Sequence, residues 1–118
     1  MVTEKISMKI LEDLKKDLGL DRRAFLKKYS KNMKGPGKIT VLVFFICKGQ
    51  KQSLSSDEIR KQWNNLKSIL GKYNSAYLVR AREYEFLKED ETKKRHYMLT
   101  SFWLDRLSQR YKLYKPKK

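Results

Sequence analysis

The stretch Phe86-Leu87-Lys88-Glu89-Asp90-Glu91-Thr92-Lys93-Lys94-Arg95-His96-Tyr97-Met98-Leu99-Thr100 constrains the fold more than any other part of this chain. An apolar pair runs into a charged tip, and the chain returns as an alternating Tyr97-x-Leu99 that ends on Thr100. Alternation with a period of two marks a half-buried strand, and two such runs joined by a polar tip read as a β-hairpin. Thr100 then stands where a helix cap is wanted, before the amphipathic run Ser101-Phe102-Trp103-Leu104-Asp105-Arg106-Leu107. The order predicted is strand, turn, strand, cap and helix.

Helical patterns precede the hairpin. Over residues 4–18, Ile6, Ile10, Leu11, Leu14 and Leu18 share one side of a helix that Gly19 would stop. Asp21 can cap a second helix, roughly 22–33, carrying Ala24, Phe25, Leu26 and Tyr29. Lys34-Gly35-Pro36-Gly37 is a breaker and is taken as the boundary of an N-terminal extension. In Ile39 to Cys47 the β-branched content argues for a strand and the context for a buried helix. Helix is favoured, because nothing nearby could pair with the run as a sheet. Lys48 to Ser55 is expected as a loop, and Ser56 as the cap of a helix that turns Ile59, Trp63, Leu66, Ile69 and Leu70 inward and ends at Gly71. Asn74 or Ser75 would cap the next helix, about 75–86. Its inner side carries Tyr77, Leu78, Ala81 and Tyr84, its outer side Ser75, Val79, Arg82 and Glu83, with Arg80 near the core edge. A last helix, about 101–113, would align Leu104, Leu107, Tyr111 and Tyr114. The fold class expected is mainly α with a small β-hairpin, that is α+β. Its parts are an N-terminal helical extension over 1–38, a main domain over 39–114 and a basic tail over 115–118.

Charge points to the class of partner. The chain has 118 residues, 29 basic against 13 acidic, for a net charge of +16. Such an excess predicts a polyanionic partner. No acid lies between Asp21 and Asp57, nor between Glu58 and Glu83, so the basic residues are expected to gather on one face. The longest apolar run is too short to span a bilayer, and Met1-Val2-Thr3-Glu4-Lys5 lacks the start of a secretory signal. A single cysteine, Cys47, excludes an internal disulfide framework. A cytoplasmic location is expected, nucleoid-associated if the source is prokaryotic.

From Ile39 to Leu107 the expected order is helix, helix, helix, strand, strand, helix. With Tyr84-Glu85-Phe86-Leu87, a charged tip, and Arg95, Tyr97, Leu99 and Thr100 on the return strand, the chain resembles winged helix-turn-helix regulators of the PadR and MarR type over about 70 residues. The resemblance implies a winged-helix domain that binds double-stranded DNA, a transcriptional regulator without cofactor. It also implies a homodimer seam through the C-terminal helix; the alternative is that this helix folds onto the chain's own N-terminal helices. The chain departs from the family pattern where Glu85-Phe86 follows the recognition helix in place of a glycine, and where the outgoing strand carries Glu83, Glu85, Glu89, Asp90 and Glu91. Apart from the resemblance, a major groove about 12 Å wide admits one helix whose outer residues offer donors to bases and phosphates. The DNA-binding residues expected are Lys72, Asn74, Ser75, Val79, Arg80, Arg82, Lys93, Lys94 and Arg95. Among them Ser75 would meet a phosphate, Val79 a thymine methyl, Arg82 a guanine edge, and Arg80 and Lys72 the backbone, which the acid-free segment 22–51 and the basic side of the hairpin would also hold.

Catalytic chemistry finds no support. His96 has no second histidine or cysteine beside it, so no metal site is expected. Cys47 reads as a core residue, the serines form no Gly-x-Ser-x-Gly elbow, and Gly35-Pro36-Gly37-Lys38 lacks Walker spacing. Neither an enzyme nor a membrane protein is expected. Two other readings stay open: a protein-interaction adaptor of transcription or replication machinery, and an RNA binder acting through general electrostatics.

Overall fold

The computed structural model describes residues 4–111 apart from 32 and 51, with side chains described from residue 9 onward. The side chain of Ile6, the residue Tyr114 and the 115–118 tail lie outside the described residues. The architecture is mainly helical with a small antiparallel sheet.

Helix α1 spans Glu4–Lys16 and runs into a 3-10 turn, Asp17–Gly19, so Gly19 sits inside the last turn rather than just past it. Helix α2 spans Arg22–Ser30, with the Asp21 carboxylate accepting from the Arg23 and Ala24 N–H groups. Helix α3 spans Gly35–Ile46, so the expected breaker is its first turn. Pro36 is tolerated there because its missing N–H would have had no intrahelical partner. The helix therefore runs through the 38/39 boundary drawn from the sequence. From Ile39 to Phe45 it is buried on all sides and apolar but for Thr40, while Lys38 in the first turn is half-buried. The hydroxyl of buried Thr40 donates to the Pro36 carbonyl at 2.9 Å and so leaves no polar atom unpaired.

Strand β1 is Leu54–Ser55, inside the segment expected as a loop. It pairs with a strand that lies some 40 residues further along the chain, which no local pattern announces. The pairing also moves the next cap by one residue. Ser55 is still extended, and its hydroxyl accepts from the Glu58 N–H at 3.0 Å, while the Ser56 N–H donates to the Arg95 carbonyl at 2.8 Å. Helix α4 thus spans Ser56–Asn65, and α5, Lys67–Leu70, is a separate turn after a break at Leu66. Asn64 and Asn65 are weak helix formers, and the break lets both Leu66 and Leu70 reach the core.

Helix α6 spans Ala76–Glu83, three residues shorter at its end than expected. Phe86 N–H donates to the Ala81 carbonyl and Glu85 N–H to the Arg82 carbonyl, a Schellman closure with Glu85 at φ 67°. Strands β2, Leu87–Glu89, and β3, His96–Leu99, form the hairpin, and the sheet order is β1-β3-β2. Helix α7, Trp103–Arg110, follows. Thr100 does not cap it. Its hydroxyl donates to the Glu85 carbonyl at 2.7 Å, and its N–H donates to the Phe86 carbonyl, tying the end of β3 to the exit of α6.

One hydrophobic cluster joins these elements, from Leu14 through Phe25, Leu26, Ile39, Phe44, Trp63, Ala81 and Phe86 to Leu107. It includes α2, which packs along α3, so the N-terminal helices share the core of the rest. Leu104 and Leu107 are buried within the chain, with α7 in contact with α1. Among the described residues no helix is long and apolar enough to cross a membrane.

Candidate nucleic-acid interface

Helix α6 is seated by α3. A Cβ on Gly35 would come within 2.3 Å of the Tyr77 ring, so the start of α3 has no room for a side chain. Tyr77 packs in turn on Trp63, ring centroids 5.6 Å apart, and Trp63 Nε1–H donates to the Gly71 carbonyl at 2.8 Å. Gly71, at φ 88°, turns the chain out of α5 in a conformation that favours glycine. The approach to α6 is thereby fixed, and Asn74 begins the helix, its side-chain oxygen accepting from the Ala76 N–H at 2.9 Å. Ser75 makes no side-chain capping bond.

Leu78 and Ala81 are buried, and Ser75, Ala76, Val79, Arg80, Arg82 and Glu83 are exposed. This is the division the helical wheel predicts. Val79 stands 53 % exposed, an apolar side chain in the middle of a polar face. Lys72 is exposed on the approach loop, and Lys93, Lys94 and Arg95 are exposed at the hairpin tip.

The hairpin side of α6 is charge-matched. The Arg82 guanidinium lies 3.9 Å from a Glu89 carboxylate oxygen and 5.2 Å from the centre of the Tyr97 ring. Arg82 is thus turned toward the sheet rather than standing free at mid-helix, as the wheel alone suggested. Arg106 of α7 reaches Glu85 at 3.3 Å, and Arg110 covers the Tyr84 ring at 3.6 Å. Glu89 also accepts from the Arg95 N–H at 2.9 Å. Arg95 is at φ 61°, so this bond helps hold a left-handed residue at the end of the tip. Asp90 accepts from the N–H and the hydroxyl of Thr92 and from the Ser53 hydroxyl at 2.8 Å, which holds its carboxyl down to about 2. The acids of the hairpin, which in the sequence look set to repel phosphates, are thus mostly engaged inside it.

The other side of α6 is not matched. The Arg80 side chain has no hydrogen bond or ion pair to any described residue, and it lines a groove of ≈ 630 Å³ with Lys34, Lys38, Asn74, Tyr77 and Tyr111. Burial pushes the Tyr111 phenol up, so it faces that groove uncharged. Of the residues expected from the sequence, Asn74 and Arg80 share this groove. Arg82 is drawn to the hairpin, and Lys93 to Arg95 stand on the hairpin tip. Lys34 and Lys38 belong to the acid-free segment 22–51 expected to hold the backbone, although neither was singled out as a site residue.

Among the described residues no group of three or more histidine, cysteine, aspartate or glutamate side chains could hold a metal ion. Comparison with known proteins finds no match: no family model, no curated protein and no solved structure matches this chain.

Proposed function

We propose that this chain is a winged-helix protein that binds double-stranded DNA through α6, with the β2–β3 hairpin as its wing. The element order α3, β1, α4, α5, α6, β2, β3 and the strand order β1-β3-β2 support that architecture. The observation that carries the binding reading is Arg80. An unpaired guanidinium stands beside an exposed helical face, Ser75, Ala76 and Val79, in a chain of net charge +16. A helix with a small, polar and partly apolar outer face fits a major groove, and an Arg at its side can fork onto a phosphate or a guanine edge. Arg82, turned toward Glu89, faces the hairpin and leaves Arg80 as the free guanidinium in this reading.

Titration of a labelled duplex at several salt concentrations tests it. Affinity should fall steeply with salt, and Arg80→Ala should weaken binding by about 1–3 kcal/mol. Absent or salt-insensitive binding would reject duplex recognition and favour a protein partner for the Val79 face.

A further inference from the structure

Resting on the duplex-binding reading above, we infer that the DNA backbone leaves α6 along a lysine groove between α2 and α5, on the side away from the hairpin. The groove of ≈ 630 Å³ beside Arg80 meets a second, of ≈ 760 Å³, walled by Lys27, Lys28, Lys31, Lys38 and Ser68. Lys38 stands in both walls, so the two grooves are neighbours, and a backbone passing Lys38 would run from one to the other. Neither wall contains an aspartate or a glutamate among the described residues.

The cations along this track are available to a ligand. Lys27, Lys31 and Lys34 are exposed and have no hydrogen-bond or ion-pair partner among the described residues. Lys27 and Lys31 stand one helical turn apart, about 6 Å, on the same face of α2. Lys38 is half-buried and donates to the Leu70 carbonyl at 3.3 Å, a neutral acceptor that leaves its charge uncompensated. Lys28 is different: it pairs with Asp17 at 2.6 Å, and it is not counted. Arg23 closes the far end, donating to the Ser68 hydroxyl at 2.9 Å. Lys27, Lys31, Lys34, Lys38 and Arg80 are thus five cations lining the two grooves without an acidic partner among the described residues.

The remaining edges of α6 offer less. On the hairpin flank Arg82 and Arg106 already face Glu89 and Glu85. The start of α4 carries Asp57 and Glu58, and Arg60 pairs with Asp57 at 3.3 Å. A polyanion lying on α6 is therefore drawn toward α2. Each phosphate neutralised on duplex DNA adds about 0.9 to the slope of log affinity against log salt, so the track has a numerical signature.

The full chain is titrated against a duplex of two helical turns, about 20 base pairs, in three forms: unaltered, Lys27→Gln/Lys31→Gln/Lys38→Gln, and Lys93→Gln/Lys94→Gln. The groove variant should make the salt slope shallower by about 2 to 3, and the hairpin variant should leave it within about 0.5 of the unaltered chain. Equal losses from both variants, or a larger loss from the hairpin variant, overturn the track and leave duplex binding standing. Failure of the unaltered chain to bind overturns duplex binding itself, and the track with it. Because Lys38 touches Leu70, Lys27→Glu/Lys31→Glu is measured beside it; both residues are exposed, its fold is checked by thermal melting, and unchanged affinity in this variant would also overturn the proposal.

Discussion

The two flanks of α6 carry similar numbers of basic residues and differ in what those residues face. On the hairpin flank the two arginines nearest α6 are matched, Arg82 by Glu89 and Arg106 by Glu85, while Lys88 and Lys94 stand exposed further out without an ion pair among the described residues. On the α2–α3 flank Lys27, Lys31, Lys34 and Arg80 meet no acid. The difference teaches that a formal charge of +16 measures supply, not availability. Acids placed within reach convert cations from ligand contacts into local struts, and the same excess becomes free surface charge where no acid is near.

The contrast can be broken most forcefully at Gly35. A methyl group there meets the Tyr77 ring, so Gly35→Ala should destabilise the chain by about 3 kcal/mol. Denaturant unfolding reads this, and the loss should be accompanied by a changed Tyr77 environment in near-ultraviolet circular dichroism. On the hairpin flank, Thr100→Val removes the donor to the Glu85 carbonyl and should lower stability by about 1–2 kcal/mol in the same assay.

A milder effect belongs to Asp90. Its carboxyl, at about 2, lies below the ordinary aspartate value of about 3.9. A group depressed on folding contributes stability above its unfolded value and loses it as pH falls through its folded value. The stability gap between the unaltered chain and Asp90→Asn should therefore be full above about pH 4 and close toward pH 2. Denaturation midpoints over that range check it; a constant gap would show that the carboxylate charge is not what locks the tip.

The smallest effect is expected at Arg82 and Glu89, both more than a third exposed and 3.9 Å apart. A double-mutant cycle with Arg82→Gln and Glu89→Gln should give a coupling below about 1 kcal/mol. A larger value would mean that the hairpin is clamped to α6 far more rigidly than a screened surface pair allows.

Much of the local structure was legible. Asp21 as a cap, the burial of α3, the inner and outer sides of α6 and the existence of a hairpin with Tyr97 and Leu99 on its return strand follow from short-range spacing. Three of the misread features share one cause. β1, the cap at Ser55 and the role of Thr100 all depend on partners 15 to 43 residues away, namely Tyr97, Arg95 and Glu85. The early end of α6 was hidden differently, because Glu85 occupies a left-handed position where glycine is the usual signal.

The sequence by itself determined that the chain is mainly helical with one hairpin, and that it carries a large basic excess. Those properties reside in periodicity and composition, which need no partner to be read. Only the tertiary structure decided which cations are free. Pairing depends on distance in space, and it is the fold that brings Glu89 to Arg82, Glu85 to Arg106 and Asp17 to Lys28 while leaving Arg80, Lys27 and Lys31 beside acid-free grooves.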